Sequence, residues 1–97
     1  MSFSIIGKKC IVNGRVQGVC FRAATQRKAT VLGVFGSAIN LQDGSVEVHA
    51  YGGKKEVDAL CDWLWHGSSS AQVECVQCED ILISRLNEEQ DKVFLIR

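Results

Sequence analysis

The sequence predicts an α+β fold in which two helices cover one face of a β-sheet, and three features predict it. Short apolar or alternating runs flank two segments with helical spacing. The turn signal Gln42-Asp43-Gly44 joins the middle two strands, and glycines punctuate the boundaries between elements. A chain of 97 residues has room for one core, so a single domain over 1–97 is expected.

The elements follow in order. Cys10, Ile11 and Val12 mark a short buried strand over 8–13, which runs into a turn-rich stretch from Gly14 to Phe21 with two glycines. The composition of 22–32 favours a helix, with Ala23, Ala24, Ala29 and Leu32 for a packed face and Gly33 to stop it. The runs 34–41 and 45–51 read as a hairpin. In its second strand Val46, Val48 and Ala50 alternate with Glu47, His49 and Tyr51, so one face is buried. After Gly52 and Gly53, Val57, Leu60, Cys61 and Leu64 fall at i, i+3, i+4 and i+7 and predict a helix over 54–66. A strand is expected from Gln72 to about residue 82, with a slip in alternation between Cys75 and Val76 that a bulge would explain. A polar loop over 84–92 and a last short run over 93–96 close the chain.

This β-α-β-β-α-β order, with 93–96 as a fifth strand, is the split βαβ or ferredoxin-like arrangement: an antiparallel sheet with both helices on one face. The strand–helix–strand unit is a right-handed crossover between parallel strands, so the first two strands end at the same edge. The Gly14–Phe21 stretch follows the first strand and Asn40 ends the second. The two are therefore expected to meet.

Eleven Lys and Arg balance eleven Asp and Glu, so no overall basic field draws the chain to nucleic acid or an anionic membrane. Any anion site must be local. No apolar run approaches the roughly 18 residues of a membrane span, and the N-terminus lacks the pattern of a secretory signal. Five cysteines, an odd number, argue against a complete disulfide framework. They are read as reduced thiols of a cytoplasmic protein.

The stretch from Gly14 to Arg22 has the parts of an anion cradle. Glycines permit a tight turn whose N–H groups converge, the following helix adds its unpaired N–H groups and dipole, and Arg22 brings a fork matched to phosphate oxygens. Two glycines before a helix occur in many folds, so these parts alone do not specify phosphate. No Gly-Lys-Ser/Thr follows, and the spacing of the dinucleotide fingerprint is missing.

The full string Gly14-Arg15-Val16-Gln17-Gly18-Val19-Cys20-Phe21-Arg22 resembles the acylphosphatase signature nearly position for position. Further matches follow at Thr25-Gln26, Leu32-Gly33, Asn40, Asp43-Gly44, Val46-Glu47-Val48, Trp63-Leu64, Ser70-Ala71 and Phe94 to Arg97. The resemblance implies hydrolysis of the carboxyl–phosphate bond of small acyl phosphates, without metal or other cofactor, by a monomer. It also implies the site. Backbone amides of Arg15, Val16, Gln17, Gly18, Val19 and Cys20 would hold the phosphate with Arg22, and Asn40 would position the attacking water. Cys20 departs from the family pattern, which usually has glycine or an aromatic residue there. Ser37 stands where an aromatic is common, and the chain has no proline.

Other features point less far. Cys75-Val76-Gln77-Cys78 has C-x-x-C spacing, but residues three apart on a strand face opposite ways, and no second pair exists. One core and one peripheral thiol are expected. His49 and His66 are read as solvated or capping, and of Trp63 and Trp65 one is expected in the core and the other at the surface. Two rivals use the same fold: an RNA-binding module, which would need aromatic residues on its central strands and a basic surface, and a module that binds phosphate without turnover. The central strands carry Cys10, Ile11, Val12, Glu47 and His49 instead.

Overall fold

A computed structural model describes residues 5–81 and 93–97. The chain runs β1 (Ile6–Arg15), α1 (Phe21–Leu32), β2 (Phe35–Asn40), β3 (Val46–Gly52), α2 (Lys54–Leu64), β4 (Gln72–Ile81) and β5 (Phe94–Ile96). The strands form one sheet in the order β4-β1-β3-β2-β5. β1 pairs antiparallel with both β3 and β4, and β2 antiparallel with β3. This is the expected ferredoxin-like arrangement with the fifth strand present.

The sheet is not purely antiparallel. β5 lies parallel to β2, with Gly36 opposite Phe94 and Ala38 opposite Ile96, so the sheet is mixed. β1 also outruns the expected 8–13: Gly14 and Arg15, read from sequence as turn, are strand residues opposite Val73 and Gln72. The register between β1 and β4 shifts there, Asn13 facing Cys75 and Gly14 facing Val73. Glu74 is therefore the extra residue, one position before the expected slip. Gly14 sits in this irregularity at φ 128°. A Cβ at Gly14 would run into the Gln72 carbonyl and come within 2.8 Å of the Glu74 nitrogen.

α1 stops where Gly33 adopts the left-handed conformation, with the Val34 N–H bonded to the Ala29 carbonyl at 2.8 Å. α2 ends at Leu64 rather than His66, its chain tightening through Trp65 and His66 N–H bonds to the Asp62 and Trp63 carbonyls. The expected loop over 84–92 and residue 82 lie outside the described residues.

One face of the sheet carries the core. Val12, Val46, Val48 and Ala50 are fully buried against Val57, Leu60 and Leu64 of α2, and Phe21 and Ala29 of α1 complete the layer. Burying a side chain such as Leu60 contributes about 2 kcal/mol. Trp63 packs its ring 6.2 Å from that of Phe21, joining the helices, while Trp65 is 50% exposed. Trp65 is at the surface as expected, while Trp63 packs against the core half-buried rather than lying within it. The cysteines depart from expectation: Cys10 and Cys78 are joined as a disulfide between β1 and β4, Cys75 is half-buried and Cys78 is exposed. The reading of five reduced thiols, and of one core thiol in the C-x-x-C pair, is corrected accordingly. The sequence offered no register that would set Cys10 opposite Cys78.

Candidate active site

β1 delivers the chain to a short loop over residues 16–20, which feeds directly into α1. Val16 and Val19 are buried, while Gly18 and Cys20 are exposed. The two valines pin the loop from below and leave the intervening residues on the surface. Gly18 has φ 75°, a left-handed conformation suited to glycine. Cys20 has φ 61° and ψ 24° and is the N-terminal flanking residue of α1, the one non-glycine at positive φ among the described residues. Arg15 closes β1 opposite Gln72, so its backbone belongs to the strand and not to the turn.

Among the described residues no side chain makes a capping hydrogen bond at Cys20, and the first turn of α1 contains no acidic residue. No carboxylate within that first turn offsets the positive end of the helix. Arg22 lies in this first turn, half-buried, and donates from Nη1 to the carbonyl of Arg97 at 2.6 Å. The Arg97 N–H donates in turn to the Ala38 carbonyl at 2.8 Å. Continuing the β2–β5 register by one step sets Arg97 beside Ile39. The Arg22 guanidinium is thereby held at the level of the residue before Asn40.

Asn40 ends β2 on the same face as the fully buried Ala38, the side covered by the helices. Its Oδ1 is buried and accepts no hydrogen bond from the described residues. Such an oxygen costs about 1–3 kcal/mol unless something donates to it. The loop reaches the same corner through Gln17, whose Nε2 donates to the Leu41 carbonyl at 2.8 Å and the Ser45 carbonyl at 2.9 Å. The expected meeting of the first loop with the end of the second strand is realised by this side chain. On its other flank the loop is fastened by Ser68, whose hydroxyl donates to the Val19 carbonyl at 2.7 Å.

An open cleft of about 600 Å³ borders that second flank, lined by Arg15, Cys20, Arg27 and Ser68 to Ser70 among others. Neither Arg22 nor Asn40 lines it. The contacts of Arg22, Asn40 and Gln17 gather at the β2 end, and we take that corner as the candidate site because the Arg22 guanidinium is tied down there beside an Asn40 oxygen that has no donor among the described residues. The side chains of Gln17 and Ser68 and the Arg97 carbonyl were not singled out for these contacts from sequence. Nothing local in the sequence marks them, because each partner is at least 24 residues away.

Fold and loop together define a small ferredoxin-like α+β protein with an arginine in the first turn of a helix and an asparagine whose Oδ1 is buried at the neighbouring strand end. A sequence profile of the acylphosphatase family matches residues 8–93, and the chain belongs to that family. It is 56% identical over 71 residues to an acylphosphatase of Halorhodospira halophila, covering 73% of this chain and 77% of that protein. Among solved structures, an acylphosphatase from Coxiella burnetii superposes with a TM-score of 0.85 at 34% identity, covering 96% of this chain and 93% of that one. An acylphosphatase from Bacillus subtilis superposes with a TM-score of 0.83 at 30% identity, over 95% and 98% of the two chains. No helix among the described residues is long and apolar enough to cross a membrane.

Proposed function

We propose that this chain hydrolyses the carboxyl–phosphate bond of small acyl phosphates to a carboxylate and inorganic phosphate, with Arg22 and the backbone from Arg15, at the end of β1, through the loop to Cys20 holding the phosphate and Asn40 positioning the water. The observation that carries the residue assignment is the Asn40 Oδ1, buried and without a donor among the described residues, one residue beyond the level at which the Arg22 guanidinium is tied down.

The chemistry asks little of such a site. The leaving group is a carboxylate whose conjugate acid has a pKa of about 4, so it departs without a general acid. The loose transition state gains mainly from positioning and from stabilisation of charge on the phosphoryl oxygens. N–H groups at the start of α1 and the Arg22 fork are matched to those oxygens. Among the described residues Arg22 spends one of its five donors, on the Arg97 carbonyl, which fixes one arm of the fork. Asn40 is no base at neutral pH, but its Oδ1 accepts a water O–H and aims the oxygen lone pair at phosphorus, opposite the departing carboxylate. The phosphorus–water oxygen bond forms, the bond from phosphorus to the acyl oxygen breaks, and the water proton passes to the dianionic phosphoryl group itself. A rate that falls as that group becomes singly protonated supports this last step.

The test is loss of benzoyl phosphate absorbance with purified protein in the presence of a chelator. Arg22→Gln is expected to weaken both phosphate binding and turnover. Asn40→Ala is expected to lose turnover while inorganic phosphate still binds. A folded wild-type chain that turns over no benzoyl phosphate overturns the activity, and an Asn40→Ala chain of undiminished kcat overturns the role of Asn40.

A further inference from the structure

Away from the loop, the structure gathers sulfur. Cys10 in the middle of β1 faces Cys78 directly across the β1–β4 pairing, and the two are bonded. Cys61, on α2, reaches the same spot from above, with its Sγ 3.5 Å from that of Cys10. All three sulfurs lie within 4.8 Å of one another. They come from three elements 17 to 68 residues apart, so helical or strand periodicity does not account for the convergence. Cys10 is fully buried, Cys61 half-buried and Cys78 exposed, so the cluster is most open to solvent at Cys78.

We propose that, once a dithiol or phosphine reductant has opened the Cys10–Cys78 bond, Cys10, Cys61 and Cys78 form a three-thiolate site for Zn(II), with solvent as the fourth ligand on the Cys78 side. The ligand set selects the metal: three sulfurs, with no imidazole or carboxylate in the cluster among the described residues, suit a soft d10 cation. The spacing fits as well. Zinc–sulfur bonds of about 2.3 Å in a tetrahedron place the sulfurs roughly 3.8 Å apart. The Cys10–Cys61 separation is already close to this. Residues opposed on antiparallel strands have Cβ atoms about 4.5–5.5 Å apart, so the two reduced sulfurs of Cys10 and Cys78 reach that spacing by side-chain rotation alone.

Binding replaces the thiol protons, releasing up to three and leaving the zinc–tris-thiolate unit with one net negative charge. Lys8 stands two residues before Cys10 on the same face of β1, near enough to favour the Cys61 thiolate, and is also paired with Asp80. Its ammonium offsets part of that charge. Burial, with smaller help from Asp58 and Asp62, pushes the Cys61 thiol up, so Zn(II) displaces a proton that the site itself holds more tightly than a free thiol does.

The test uses the full chain carrying Cys20→Ser and Cys75→Ser, which leaves only the three clustered cysteines, in the presence of a phosphine reductant. Cd(II) added as a spectroscopic stand-in is expected to give sulfur-to-metal charge-transfer absorption that saturates at one equivalent. Zn(II) should be taken from a chromophoric chelator with the same stoichiometry. Cys61→Ser or Cys78→Ser on this background should each weaken Zn(II) binding at least about tenfold, and the oxidised chain should take up none. If Cys61→Ser does not fold by circular dichroism, Cys78→Ser, at the exposed edge, decides. No charge-transfer band in the reduced chain overturns the proposal. Undiminished Zn(II) affinity in whichever folded variant is measured, or a new Cys10–Cys61 disulfide with no metal uptake, overturns it equally.

Discussion

Gln17 donates its side-chain amide to the carbonyl of Leu41, 24 residues away, at 2.8 Å, and to that of Ser45 at 2.9 Å. The loop that precedes α1 is thereby locked to the turn that immediately follows Asn40. The crossover topology brings the ends of β1 and β2 to one edge of the sheet, but topology alone fixes positions only to several ångströms. Catalysis by positioning needs far closer tolerance, since a misplacement of about 1 Å costs on the order of a hundredfold. The Gln17 amide supplies the fixed distance.

Gln17→Ala is therefore expected to lower kcat/KM for benzoyl phosphate by about ten- to a hundredfold while destabilising the fold by about 1–2 kcal/mol, the net worth of two part-buried hydrogen bonds. Steady-state kinetics beside a urea melt separates the two effects. A variant with the stability loss but full activity would show that the loop holds its place without this clamp.

Cys20 occupies the left-handed region at φ 61° with an exposed side chain. A non-glycine residue there costs about 1–2 kcal/mol, whereas glycine forfeits about 0.5–1 kcal/mol of unfolded-chain entropy. Cys20→Gly is expected to stabilise the fold by up to about 1 kcal/mol, raising Tm by several degrees. Calorimetry reads this directly, and a lowered Tm would mean that the thiol makes a compensating contact.

Gly14 gives the opposite result. Its φ of 128° and the Gln72 backbone packed against it leave no place for a methyl group. Gly14→Ala is expected to cost about 3 kcal/mol, combining backbone strain with overpacking. The urea midpoint should fall accordingly, and a shift under about 0.5 kcal/mol would show that the bulge at Glu74 can relax.

Much of this was legible in the residues. The alternation of Val46, Val48 and Ala50 set the buried face of β3, the spacing of Val57, Leu60 and Leu64 set that of α2, and Gly33 marked the end of α1. These signals are local and have a period. Gly14 and Arg15 misled because a glycine opposite a bulge resembles a glycine in a turn, and the bulge is on the partner strand. The direction of β5 was illegible because three residues carry no polarity; it is set by how the chain returns to Gly36 and Ala38. The Cys10–Cys78 pairing depends on a register between residues 68 apart. At the candidate site, Arg22, Asn40 and the loop were visible as residue types in a pattern. The contacts that orient them, from Gln17, Ser68 and the Arg97 carbonyl, depend on the packed structure.

The turn that anchors Gln17 also has an acid-sensitive member. The Asp43 carboxylate accepts the Ser45 hydroxyl at 2.5 Å and the Ser45 N–H at 2.9 Å. The side-chain hydrogen bond first, and the backbone one second, hold its pKa below the ordinary aspartate value. A carboxyl whose folded pKa is depressed contributes stability that is fully present above the unfolded value of about 3.9 and is lost as pH falls through the folded value. Asp43→Asn keeps an oxygen acceptor for both bonds but removes the ionisation. The wild-type chain is therefore expected to lose stability more steeply than Asp43→Asn as pH falls below about 4, with little difference in slope near neutrality. Urea midpoints measured across that range decide the matter: parallel curves for the two proteins would mean that the Asp43 charge contributes nothing to the turn.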